Sequence, residues 1–339
     1  PRSTPKPSSA ASDVYKSQCS AGLTWGAVTH SPDTLSNWRQ QMRLRRLTAV
    51  ITSAALLTVA APIAFAQSGN APGPKRTPDG QPDISGIFTF RTLTPLQRPA
   101  ELGEKGALTA EEAAQFEAAE RTRLNRDLFD PESGAPSAGY QSRAEGGVLS
   151  YNEFWYERGI ELTSDKRTSL VVDPPNGRIP YTEDFSRANG IRRLNLRNGF
   201  ADHYTDRSLG DRCLMGSNSG PPMRPGSYNN NVLIMQAPGY VTIVNEHIHN
   251  TRIIPVSDQP HSDIRQWVGD ARGRWEGETL VVETRNYSTE SRYNGASETL
   301  HLVERYTRIS PDVLKHEITL NDPNTWTEPW TIELLHTVT

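Results

Sequence analysis

Short runs of alternating apolar and polar residues follow one another from Asn231 to the end of the chain, with tight-turn signals between them. Successive side chains of a β-strand point to opposite faces, so this alternation predicts half-buried strands. No helical pattern interrupts the series, which favours an antiparallel meander. The predicted strands are 232–236, 240–245, 251–256, 264–268, 273–275, 279–284, 299–309, 313–320 and 326–335.

A meander of about seven to nine strands is expected to close into an up-and-down barrel, because closure leaves no exposed strand edge. A two-sheet sandwich is the alternative, since strand spacing alone does not separate the two architectures. We therefore predict a mainly β fold in which residues 231–339 form the barrel.

Residues 85–230 are expected to form a covering layer of mixed structure. Alternation predicts a short strand over 85–92, and the capping box of Thr109 and Glu112 predicts a surface helix that ends near Asp127. A β-branched run before a Pro-Asn-Gly turn predicts a hairpin within 169–180. Residues 183–230 are polar and proline-rich, which predicts a long irregular covering segment.

The N-terminal segments indicate export. Residues 1–41 precede the first methionine, Met42, and are expected to be translated upstream sequence. Residues 42–66 have three arginines, an apolar run and a final Ala-Phe-Ala, the pattern of a signal peptide cleaved after Ala66. Residues 67–84 are predicted to be a disordered linker. We expect a periplasmic or secreted protein. The sequence ends at Thr339, just after a predicted strand and without a closing turn, so we also expect the C-terminus to be truncated.

The charge balance argues against some partners. The chain has 36 basic and 39 acidic side chains, and seven of the basic ones precede residue 67, so the remainder has a larger acidic excess. Sequence-independent binding to nucleic acid or to anionic lipid needs a basic face. The apolar run at 47–61 is short for a membrane span. The sequence therefore predicts no nucleic-acid partner and no stable membrane insertion after signal cleavage.

Five long phrases stand out: SLVVDPPNGRIP at 169–180, GSYNNN at 226–231, GRWEGETLVVET at 273–284, LVERY at 302–306 and DPNTWTEPW at 322–330. Together they resemble a large family of exported bacterial proteins for which no reaction is established. The resemblance implies no catalytic residue. Members of that family continue into a Cys-His-Glu segment, which implies a partner for Cys213 beyond Thr339. Gly273-Arg274-Trp275 also resembles the Gly-X-Trp of lipocalins, in keeping with a lipocalin-like barrel.

Histidines cluster after the second predicted strand of the meander. If residues 245–252 are a strand, His247 and His249 lie on one face and can offer two imidazoles to one metal ion. His261 or His301 could supply a third ligand, so the sequence leaves room for a divalent metal. The alternative interpretation is a polar strand with solvated histidines and no metal.

Carboxylates and arginines suggest a second type of site. A carboxylate among apolar neighbours has a raised pKa and can act as an acid or base, which makes Glu246 and Glu304 candidates with His249 as partner. Arg252 and Arg265 could then hold an anionic substrate. Cross-strand ion pairs are the alternative role for the same residues.

Three functional hypotheses follow. The first is a small organic ligand bound at the barrel mouth by His249, Arg252, Arg265 and aromatic residues. The second is an extracytoplasmic acid/base or His-metal enzyme that uses the same cavity. The third is a structural envelope protein with a filled core. The aromatic candidates for ligand stacking are Trp267, Trp275 and Tyr306.

Overall fold

The computed structural model describes residues 75–128, 153–197, 202–207, 209–216, 218–290, 293, 295–296 and 298–339. The described part is mainly β and forms an antiparallel sheet of ten strands that nearly closes into a barrel, which confirms the predicted fold class. The strands are β1 Gly86–Thr89, β2 Val171–Asp173, β3 Asn231–Ala237, β4 Tyr240–Asn245, β5 Thr251–Pro255, β6 Asp270–Glu276, β7 Thr279–Arg285, β8 His301–Ser310, β9 Val313–Asn321 and β10 Trp330–Val338.

The order of the strands is β5-β4-β3-β1-β10-β9-β8-β7-β6, so β5 and β6 are its two ends. These ends meet where Val256 bridges Gly273, and the Ser257 amide donates to the Gly273 carbonyl at 3.1 Å. A side chain at Gly273 would lie 3.2 Å from a methyl group of Ile254. Glycine therefore permits the close approach that brings the sheet round on itself.

The N-terminal region contributes a strand to the barrel. β1 lies between β3 and β10, with Phe88 opposite both Val232 and Val338. The predicted division at residue 231 is therefore too simple, because residues from the expected covering layer complete the sheet. The end of the predicted linker is also folded: the Asp83 amide donates to the Lys75 carbonyl, and Ile84 is fully buried in the core.

The phrase at 169–180 does not form the predicted hairpin. Its strand β2 pairs with the start of β10, where Val171 lies opposite Ile332. On the other side the amides of Leu170 and Val171 donate to the carbonyls of Pro95 and Leu96. The β-branched run thus forms a strand, as predicted, but the strand with which it pairs, β10, lies far away in the sequence.

Two α-helices occur in the described part, α1 (Ala110–Leu124) and α2 (Glu183–Arg197). The capping box of α1 is formed as predicted. α2 contradicts the irregular structure expected for 183–230. Its start is stabilised by the Thr182 hydroxyl, which accepts from the Phe185 amide at 3.2 Å, and by two acidic residues in the first turn. No described helix is long and apolar enough to cross a membrane.

The strand predicted over 264–268 is also wrong. Gln266 makes an isolated bridge with Tyr287, and the surrounding residues form bends and turns between β5 and β6. The run of apolar residues there is short, and Gly269 follows with a φ of +71°. That left-handed conformation ends any extended segment at this point.

We expect Thr109→Ala to lower the free energy of unfolding by about 1 kcal/mol, because the Glu112 amide loses its cap. Thr122→Ala is the control, since the exposed Thr122 hydroxyl donates to the Ala118 carbonyl within α1 and caps no helix end. The expected effect of this variant is less than about 0.5 kcal/mol. Urea unfolding of both variants measures the difference. Equal effects at the two positions would contradict the role of the cap.

Two apolar clusters fill the barrel, one towards each end. The first contains Phe88, Ile234, Ile254 and Leu314, and the second contains Leu302, Ile318, Trp330 and Ile332. Along β8 the buried positions run from Leu302 to Tyr306, with Glu304 between them. A charged residue therefore lies in the middle of the barrel, between two apolar layers.

Candidate functional site

Glu304 and Arg252 form a fully buried ion pair in the barrel interior. Arg252 Nη1 donates to Glu304 Oε1 at 3.1 Å, and Nη2 donates to Oε2 at 2.5 Å. The same guanidinium reaches the Thr284 hydroxyl at 3.4 Å. Strand alternation places all three side chains on the inner face, where Arg252 is 4% exposed and Glu304 is 0% exposed. The two-point contact matches the planar geometry of both groups.

The carboxylate of Glu304 has further partners on its own and the next strand. The Tyr306 hydroxyl donates to Oε1 at 2.8 Å, and His316 Nε2 lies 3.2 Å from the same oxygen. The Tyr306 ring stacks on His316 with centroids 4.0 Å apart and planes 16° apart. This stacking follows from the sheet register, because Tyr306 and His316 are directly opposite each other.

His336 extends this chain of contacts to β10. Its Nε2 lies 3.1 Å from His316 Nδ1, and its own Nδ1 is buried without a partner in the described structure. One tautomer assignment satisfies these contacts with both rings neutral. His316 Nε2–H donates to Glu304, and His336 Nε2–H donates to His316 Nδ1. The one unpaired atom is then His336 Nδ1, which is an acceptor and carries no hydrogen.

The pKa shifts fix the charges of this network. Burial raises the pKa of Glu304, but the charge of Arg252 and the hydrogen bonds from His316 and Arg252 outweigh it and hold that pKa far below the usual range. Burial lowers the pKa of His316 despite the nearby Glu304, and burial with the adjacent His316 lowers that of His336 further. Burial and the Glu304 charge raise the pKa of Tyr306. The expected raised pKa of Glu304 is therefore wrong, and the alternative role, an ion pair with an arginine, is the one that the structure shows.

Glu246 and His249, the other two predicted catalytic residues, do not join this network. β4 ends at Asn245, and residues His247–His249 form a short 3-10 turn in which Ile248 and His249 have φ near 55°. Glu246 and His249 are exposed, and Glu246 accepts from the Asn231 side chain at 2.9 Å. The predicted arrangement of one strand face fails because the strand stops too early.

The predicted metal site is not formed either. His247 and His249 belong to a turn and do not share one face of a strand. His261 Nδ1 lies in the segment before β6, 3.5 Å from Asp270 Oδ2. Asp270 is already engaged with Arg272 through its other oxygen at 2.5 Å. Within the described ranges, no group of three or more His, Cys, Asp or Glu residues is placed to hold a metal ion.

The remaining predicted ligand residues are dispersed. Arg265 is exposed and donates to the carbonyls of Tyr287 at 3.0 Å and Glu298 at 3.2 Å. Trp267 has the Arg212 guanidinium 5.6 Å from its ring, and Trp275 packs half-buried against the first apolar cluster. Of the predicted site residues, the structure brings together Arg252, Glu304 and Tyr306. Sequence reasoning missed His316 and His336, although both alternate in step with buried leucines.

A cavity of about 350 Å³ lies outside the barrel network, among residues of the covering layer. Its walls come from the segment after β1, the end of α1, the segment around Arg158, the start of the phrase at 169–180 and the loop before β3. The lining residues are Thr92, Thr94, Leu96, Leu124, Arg158, Leu170, Asn218, Arg224, Pro225, Gly226 and Ser227. This cavity falls at the lower end of the range of about 300–1,000 Å³ that is typical of small-molecule sites.

The loop that forms one wall of this cavity is held by two asparagines. Asn230 is buried; its Oδ1 accepts from the Gly226 amide at 2.7 Å, and its Nδ2 donates to the Glu157 carbonyl at 2.6 Å. Asn218 Nδ2 donates to the carbonyls of Tyr228 and Asn229 at 3.0 and 2.9 Å. A side chain at Gly226 would lie 3.1 Å from Asn218 Nδ2, so the glycine lets the loop pack closely.

Asn218 also connects the cavity to His247. Its Oδ1 is hydrogen-bonded to His247 Nδ1, and a side chain at Gly216 would collide with that imidazole. Because Asn218 Oδ1 can only accept, His247 Nδ1 is the donor, and a neutral ring then has Nε2 as an acceptor. Burial lowers the pKa of His247, which favours this neutral form. His247 thus holds Asn218, one of the residues that line the cavity.

Two arginines give the cavity its charge. The Arg158 guanidinium lies 4.2 Å above the Tyr156 ring and is paired with Glu153 at 3.3 Å. The Arg224 guanidinium lies 5.7 Å from the Tyr293 ring centre. No acidic side chain is among the lining residues, although Glu153 beside them balances the charge of Arg158.

No protein-family model matches the chain, and no curated protein matches it either.

Proposed function

We propose that this protein binds a small organic molecule in the cavity of the covering layer. The observation that carries the proposal is the cavity itself, which has a volume suited to a small ligand and a lining of both leucine side chains and polar groups. Small-molecule sites combine apolar walls with a few placed polar groups in this way. The barrel serves as the rigid scaffold on which the binding loops are mounted.

The barrel interior is not the binding site in this proposal. Glu304, Tyr306, His316 and His336 are each 0% exposed and contact one another along three neighbouring strands, and Arg252 on β5 pairs with Glu304. A ligand there would have to break these contacts and leave charged groups unpaired in an apolar surrounding. The binding site expected at the barrel mouth is therefore moved to the covering layer.

We also propose that binding takes place outside the cytoplasm. The support is the signal-peptide pattern of residues 42–66, which lies outside the described residues, together with the resemblance of five phrases to exported bacterial proteins. In that location the protein would meet nutrients or signalling molecules as free solutes.

The expected result of a small-molecule screen on the full chain is a rise in melting temperature with some ligands, because a ligand bound to the native state stabilises it. Ser227→Trp, at the exposed rim of the cavity, is expected to abolish the rise by filling the space. Ser186→Trp, on the exposed side of α2, is the control and should preserve it. Equal shifts in the two variants would contradict binding at this cavity. No shift with any compound would favour a structural role.

A further inference from the structure

We infer that the ligand of this cavity is a small organic carboxylate, held through its negative group by Arg158 and Arg224. The inference rests on the proposed function and adds the chemical class of the ligand. Guanidinium groups suit carboxylates because their planar N–H donors match two oxygens at once. The lining has these two cations and no acidic side chain of its own; Glu153, which pairs with Arg158 at 3.3 Å, is not among the lining residues.

Arg158 is positioned before any ligand arrives. Its side chain is 11% exposed, it lies over the Tyr156 ring, and its Nη1 is bonded to the Leu124 carbonyl and to Glu153. A charge held at such a depth acts more strongly than one in open water, because the surrounding dielectric constant is lower. Holding the side chain in advance also reduces the entropy that is lost on binding.

Arg224 comes from the loop that Asn218 and Asn230 hold in place. Its backbone amide approaches the Asn218 carbonyl at 3.4 Å, and its guanidinium lies over the Tyr293 ring, which packs against the second apolar cluster. The two arginines therefore reach the cavity from different segments of the chain. A ligand bound between them would contact segments of the covering layer on both sides of the cavity.

The rest of the lining indicates the remainder of the ligand. Leu96, Leu124 and Leu170 offer apolar walls, and the Thr92 and Thr94 hydroxyls are engaged with each other at 3.2 Å. A free inorganic phosphate would leave the leucines uncovered. A carboxylate with a short aliphatic or aromatic skeleton fills both parts of the cavity, and its burial against the leucines contributes about 25 cal/mol per Å².

The test compares charged and neutral ligands of the same shape by isothermal titration of the full chain. Hexanoate is paired with hexanamide, and benzoate with benzamide; inorganic phosphate is the third probe. We expect at least one carboxylate to bind about tenfold or more tightly than its amide, since a charge-assisted pair replaces a neutral contact. An amide that binds as well as its carboxylate would overturn the inference.

Arg224→Met is expected to reduce the affinity for that carboxylate about tenfold or more, as one guanidinium is lost. Arg274→Met is the matched control, because Arg274 is exposed on β6 and is not among the lining residues. The affinity of this variant for the carboxylate should equal that of the unchanged protein. If Arg224→Met does not fold, Arg224→Gln replaces it. Unchanged affinity in a folded Arg224 variant, or tightest binding of phosphate, contradicts the inference.

The failure of this inference can be told from the failure of the proposed function. Binding of the neutral amides alone, lost in Ser227→Trp, would keep the cavity as the binding site and reject the carboxylate. A lack of binding by carboxylates, amides and every compound of the screen would reject both.

Discussion

Glu304→Gln is expected to lower the free energy of unfolding by about 3–5 kcal/mol, the usual effect of removing one partner from a buried ion pair. The variant leaves the Arg252 guanidinium, which is 4% exposed, without its counter-charge in the middle of the barrel. Tyr306 and His316 also lose a charged acceptor and bond to a neutral amide oxygen at best. Equilibrium unfolding in urea measures the loss.

Glu317→Gln is the matched control, because Glu317 lies on the outer face of β9, half-buried and paired with Lys315. Its expected effect is less than about 1 kcal/mol. The double variant Arg252→Met with Glu304→Leu removes both charges and is expected to recover part of the stability that Glu304→Gln loses. A loss below about 1 kcal/mol for Glu304→Gln would contradict the buried pair.

Acidification from about pH 7.5 to 5.5 is expected to lower the free energy of unfolding by on the order of 1 kcal/mol through His336, with a further loss through His316. Burial lowers the pKa of both rings in the folded protein, so the unfolded chain binds more protons below about pH 6.5. The stability they contribute is therefore present above that pH and is lost as the pH falls. The lowered pKa of Glu304 acts in the same direction, but only below its unfolded value near 4.5.

Urea unfolding at the two pH values measures this effect, and two variants identify its source. His336→Gln keeps a donor beside His316 but removes the titrating group, so its stability should vary less with pH. His249→Asn removes an exposed imidazole on the turn after β4 and should leave the pH dependence unchanged. The same acid sensitivity in His336→Gln as in the unchanged protein would contradict the neutral buried pair.

Strand alternation was sufficient to predict the barrel, because one face of each strand packs inwards and its apolar residues recur with a period of two. The same rule puts Glu304 on the face of Leu302, but only the structure shows that this face is the buried one. Alternation could not predict that β1 closes the sheet between β3 and β10, since both pairings join residues more than 140 positions apart. It also could not predict that β2 pairs with β10.

The site was predicted only where the side chains belong to regular strands. Arg252, Glu304 and Tyr306 were chosen from sequence and do meet, but their distances and pKa shifts required the register of four strands. The predicted positions of His247 and His249 are wrong because Ile248 and His249 have positive φ values, which end the strand. A glycine would have indicated such a conformation, but neither residue is a glycine. Position by itself could have identified His316, which alternates with Leu314 and Ile318.

The cavity was beyond prediction for a different reason. Its lining residues come from loops and segment ends, where no periodicity relates sequence to direction. The irregular covering segment predicted over 183–230 is wrong in its first part, which α2 occupies, while Asn218, Arg224 and Gly226 from its remainder line the cavity.

We place the ligand in the covering layer and not inside the barrel. A crystal structure of the full chain with the tightest carboxylate from the titrations shows directly where the ligand lies. We expect electron density for the ligand between Arg158 and Arg224, with Glu304, Tyr306, His316 and His336 in unchanged contact. Density inside the barrel, with the ion pair of Arg252 and Glu304 opened, would contradict it.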